Sequence, residues 1–185
     1  MPLKHAPKRS LLGRLRSDKR GAAAIEFALI APVAILLYAG FAELTMAMMA
    51  ERRAAHAASV VADLVAQEPQ VSVADMTDIF NIGNAIMAPF ATATLKLRVT
   101  SVVADVNGVP KVVWSQGHGL GALTAGATVA GFPPTLLTPG DSVIEADMQY
   151  AYTSPLQMTL PTALSFSNSF YLRPRRSTSV ALTTP

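Results

Sequence analysis

KRGAAAIEFALIAPV, residues 19–33, decides the architecture of this chain. Two cations close a basic leader, and from Ala22 to Ala50 there is no Lys or Arg, with Glu26 and Glu43 the only charged side chains. A hydrocarbon core of about 30 Å takes roughly 20 residues of helix, so residues 24–44 suffice to span it. The two glutamates, 17 positions apart, are separated by about 25 Å of helix rise, one near each bilayer face. A charge at the bilayer centre costs about 2.5–3.5 kcal/mol on insertion scales, so Glu26 needs a reason. One reason is bland: an interfacial carboxylate favoured by the helix N-terminal dipole and by Arg20. Pro32 removes a backbone hydrogen bond and predicts a kink about two turns in, which membrane helices tolerate.

Outward from this run, the charge is unevenly distributed. Seven of the 15 Lys and Arg residues precede residue 21, against Asp18 alone, which leaves 8 basic and 11 acidic residues in the remainder. A nucleic-acid module carries its positive charge on a folded face, so this leader reads as a membrane-topology signal instead. Lys19 and Arg20 should hold the N-terminus in the cytoplasm and place residues after about 50 outside. The 51% hydrophobic and 15% charged composition and the mean hydropathy of +0.35 agree with a membrane-associated chain. The absence of cysteine fits an oxidising compartment and the cytosol equally.

Helical signals continue through ERRAAHAASVVADLVAQ, with Ala57, Val60, Val61 and Leu64 on one narrow face, and should stop before Pro69. The expected partition is a cytoplasmic leader (1–21), a transmembrane helix (22–50), its extension (51–68) and an outer α+β domain (69–185). Ser72 and Asp75 form a capping-box pattern ahead of a second helix carrying Met76, Ile79, Phe80, Ile86 and Met87. From Leu95 the period changes to two, and Asn107-Gly108 marks a hairpin whose return strand, with Pro110, belongs at an edge. Residues 117–140 read as a long flexible loop. Strands follow through Ile144–Tyr152 and Leu164–Leu172. The expectation is α+β, with a long N-terminal helix and a short helix packed on an antiparallel sheet of about four strands.

The residues offer no enzyme chemistry. GHGLGALTAG lacks the Lys-Ser/Thr of a P-loop, and His5, His56 and His118 lack metal-site spacing. No catalytic, cofactor-binding or metal residues are assigned. Glu145 and Asp147, two apart on one strand, read as a solvated face rather than an ion site, and Trp114 and Tyr152 as core or rim aromatics.

Gly21, four small or apolar residues, then Glu26 and Phe27 give G-AAAI-EF after a basic leader, which resembles the prepilin-type processing site. The segment RGAAAIEFALIAPVAILLYAGFAE, with the hairpin VNGVPKVVWS and the closing YLRPR, resembles the TadE-like pilus assembly proteins (TadE/TadG family) of tight-adherence systems. The resemblance implies a minor pilin or pseudopilin of the bacterial inner membrane with a periplasmic domain. A prepilin peptidase would cut between Gly21 and Ala22, and the Glu26 carboxylate would pair with the new amine of a subunit. Glu26 and Pro32 are then the helix-assembly residues. Partners would be other pilin or pseudopilin subunits, the pilus machinery and the membrane, with no nucleic acid and no cofactor. The rival readings are an uncleaved single-pass anchor carrying a periplasmic scaffold and, further off, a secreted binding module cut before Glu43.

Overall fold

A computed structural model describes residues 20–133, 135–160 and 162–183. Residues 1–19 of the basic leader, Lys19 among them, lie outside the described residues. The α+β architecture is as expected. Helix α1 runs unbroken from Arg20 to Gln67, about 72 Å at 1.5 Å per residue, with Pro32 inside it. Gln67 is its last residue because Pro69 follows and disfavours helix before it. Strand β1 (Gln70–Ser72) leads into helix α2 (Val73–Ile86). Its capping box is complete: the Asp75 N–H donates to Ser72 Oγ at 3.1 Å and the Ser72 N–H donates to Asp75 Oδ2 at 2.8 Å.

Strands β2 (Lys96–Ala104), β3 (Pro110–His118), β4 (Ser142–Tyr152) and β5 (Leu164–Leu172) form one antiparallel sheet in the order β3-β2-β4-β5. Pro110 opens the edge strand β3, where a missing N–H is tolerated. The β2–β3 hairpin turns at Gly108, whose φ of +77° a side chain would resist. A feature not read from the sequence is a second, parallel pair of β1 with β6 (Ala181–Thr183), in which Val71 faces Leu182. Three-residue strands carry too little periodicity to be seen in advance.

One sheet face lies on α1 and α2 and holds the main core, including Leu97, Val99, Ile144, Ala146 and Met148. The α1 side of that core is alanine-rich: Ala47, Ala50, Ala54, Ala58, Ala62 and Ala66 join Val61 and Val65. The buried face is therefore wider than the expected stripe, and Val60 and Leu64 sit at its half-buried margins. At Gly83 a Cβ would meet Val61 and Leu97 side chains at 3.0 Å, which explains a glycine where α2 closes on α1 and the sheet.

The opposite sheet face departs from the expected picture twice. Strand β3 extends to His118, and the segment 119–141 is packed rather than free: Val129 and Leu137 are buried with Val102, Val112 and Val143. Apolar residues spaced irregularly in a Gly-rich segment escape any period test, yet they suffice to cover a sheet end. The closing YLRPR segment fastens the domain to the far end of α1. The Arg175 N–H donates to the Ala66 carbonyl at 2.8 Å, its guanidinium pairs with Asp63, and that backbone bond satisfies one of the carbonyls a helix end leaves open.

Candidate functional site

Helix α1 divides into two parts. From Gly21 to Tyr38 its side chains are exposed apart from half-buried Ala31, with Phe27 at 72% and Leu29 at 71%; burial begins at Ala39. The helix is long and apolar enough to cross a membrane, and the bare part carries every described residue assigned to processing or assembly. Gly21 and Ala22 lie in its first turn, where a Cβ on Gly21 would meet nothing within 4 Å. Glu26 is four residues beyond Ala22, so the two share one helix face about 6 Å apart along the axis. Phe27 and Pro32 are exposed on the same stretch. No other described element covers these residues, which leaves the whole segment available to a bilayer or to neighbouring helices.

The residue that sequence reasoning passed over is Glu43. It is fully buried, and the loop between β4 and β5 closes around its carboxylate. Ser154 Oγ donates to Oε1 at 2.8 Å and the Met158 N–H at 2.9 Å. The N–H groups of Thr159 and Leu160 donate to Oε2 at 2.9 and 2.8 Å, joined by the Thr159 hydroxyl. Gln157, at φ +48°, reverses the chain so that three successive N–H groups converge, an anion-binding nest. A donor set without an acceptor suits an ionised carboxylate. Beside it, a Cβ at Gly40 would lie 3.5 Å from the Thr159 side chain, so the loop reaches back along the helix to the first buried turn. A lone acid in an apolar run was the visible signal; its partners, more than 110 residues away, were not.

The polar residues of the sheet face opposite α1 also depart from expectation. Glu145 is 4% exposed and its Oε2 has no hydrogen-bond partner, so this is not a solvated face. Burial, reinforced by the nearby Asp147 charge, pushes the Glu145 carboxyl up to about 7. Asp147 accepts from Arg98 Nη2 at 2.7 Å and from Ser169 Oγ at 2.6 Å, and burial beside Glu145 holds the Tyr171 phenol up to about 12. Trp114 is buried and donates to the Val180 carbonyl at 2.8 Å, a core role. Among the described residues no group of three or more His, Asp or Glu side chains is placed to hold a metal ion.

Residues 21–63 match the family model of TadE-like proteins. The matched segment contains the bare part of α1, Glu43 and most of the alanine face, and ends at Asp63, the partner of Arg175. No curated protein and no solved structure matches the chain.

Proposed function

We propose that this chain is a single-pass pseudopilin or minor pilin that acts, without catalysis of its own, in assembling a tight-adherence pilus. Its N-terminus would be cytoplasmic and its α+β domain periplasmic, anchored in the bacterial inner membrane. The observation that carries the reading is the division of α1 within the TadE-like match: a bare apolar segment headed by G-AAAI-EF, continuous with a segment packed into a folded domain. A prepilin peptidase cuts between Gly21 and Ala22, where glycine permits close backbone approach. The cut frees an α-amino group one helical turn from Glu26. Between packed helices the Glu26 carboxylate pairs with such an amine, and the low dielectric makes an unpaired alternative costly, which fixes subunit register.

The test is the mature N-terminus in the native membrane, read by mass spectrometry for the wild type and for Gly21→Ala. The open space around Gly21 makes this variant structurally silent. A start at Ala22 that the variant abolishes supports the proposal. A retained leader overturns the processing step and leaves a permanently anchored scaffold as the account of the chain.

A further inference from the structure

The clasp on Glu43 sits at a height along α1 that a membrane protein has reason to control. From Phe27 to Ala50 the chain has one charged residue, Glu43, and it is fully buried. Those residues give about 36 Å of helix without an exposed charge, more than the roughly 30 Å of a hydrocarbon core. A core beginning at Ala22 ends near residue 42; one beginning at Phe27 ends about three residues beyond Glu43. Under either placement Gly40 and Glu43 lie at or inside the bilayer boundary nearest the folded domain. The loop bonded to Glu43 lies there too.

The loop has the chemistry for that position. No charged residue occurs between Asp147 and Arg173. Leu156 and Met158 project outward, 50% and 54% exposed, at the level where Phe41 and Leu44 of α1 are also exposed. Irregular backbone at membrane depth must have its polar groups satisfied by protein. Glu43 accepts the N–H groups of residues 158, 159 and 160, and Ser154 Oγ accepts that of Leu156 at 3.3 Å. The carboxylate and the loop thus each satisfy in the other what lipid cannot.

We propose that the segment 154–160 is a lipid-docking loop that inserts Leu156 and Met158 into the domain-side leaflet and fixes the height and tilt of the domain over the bilayer. The inference rests on α1 crossing the membrane, and its test reads that premise separately. The cysteine-free chain allows single-site labelling. Met158→Cys, Leu156→Cys, Tyr38→Cys in the bare segment and Val106→Cys at the far hairpin, 89% exposed, would each carry an environment-sensitive fluorophore. The full chain is reconstituted in phosphatidylethanolamine and phosphatidylglycerol vesicles, with and without doxyl-labelled lipid. The expected result is blue-shifted, quenched emission at positions 38, 156 and 158 and unquenched, water-like emission at 106. Quenching at 38 without quenching at 156 and 158, whether those probes sit in water or beneath a second copy, overturns the loop proposal alone. No quenching at 38 removes the premise and the proposal with it.

Discussion

The two parts of α1 are one helix built to two rules. The bare part presents Ile25, Phe27, Leu29, Ile30, Ile35 and Leu36, large side chains that the domain leaves exposed. The packed part buries alanines and valines, so helix and sheet approach closely and pack at interior density. The glutamates follow the same division: Glu26 is exposed, whereas Glu43 is enclosed by five donors. Apolar composition alone does not separate the two; side-chain size and the fate of the carboxylate do.

The largest expected effect comes from opposing those glutamates. Glu43→Ala leaves the Ser154 and Thr159 hydroxyls and three N–H groups without an acceptor, and buried donors stripped of partners are costly. The domain should melt well below the wild type in detergent, with fast hydrogen exchange at Met158, Thr159 and Leu160. Glu26→Ala should leave domain melting unchanged while impairing assembly. Equal melting losses would break the comparison. Next in size is a pair of enlargements. Ala58→Leu forces three carbons into a closed face and should cost about 1–3 kcal/mol in domain unfolding. Ala34→Leu, exposed on the bare part, should cost the domain nothing.

What the sequence disclosed follows from range. Features written in neighbouring residues were legible: the membrane-length run, the Ser72–Asp75 box, the Asn107-Gly108 turn and the edge position announced by Pro110. So was the resemblance carried by Gly21, Glu26 and Phe27, now matched over residues 21–63. Features that need two distant segments were not. The Glu43 clasp joins residues 111 to 117 apart, and β1 meets β6 across a similar separation. Val60 and Leu64 looked like the packing stripe because they are large, yet the close approach selects alanine, which a hydropathy pattern scores weakly. Glu145 alternated correctly with its neighbours; what the alternation concealed was that the 119–141 segment and flanking strands cover its face.

A smaller effect tests the local end of that range. Ser72→Ala removes the cap of α2 and should cost about 1 kcal/mol, leaving the Glu43 clasp intact. The Asp75 carboxyl is held below its usual value by the Ser72 N–H and then its hydroxyl, so this stabilisation is present above the unfolded value of 3.8 and lost as pH falls through the lower folded one. Loss of the same magnitude in urea unfolding at neutral pH, with the acid limb shifted, would confirm the box as the source.

The last effect separates the two faces of the sheet by pH. Glu145 titrates at about 7 when folded against an ordinary 4.5, so between those values the native state binds more protons than the unfolded chain. Stability from this group is therefore greatest below pH 4.5 and falls as pH rises to about 7, opposite in sign to Asp75 and in a different window. Urea unfolding across that range should show a shallow decline that Glu145→Gln abolishes, because the amide keeps the side chain neutral at every pH. The helix-side core has no described carboxyl raised in this way, so Met148→Ala should lower the whole profile without changing its slope. A wild-type profile that is flat from 4.5 to 7 would mean that Arg98 and solvent neutralise Glu145 despite its burial, and that the two faces differ in packing but not in charge.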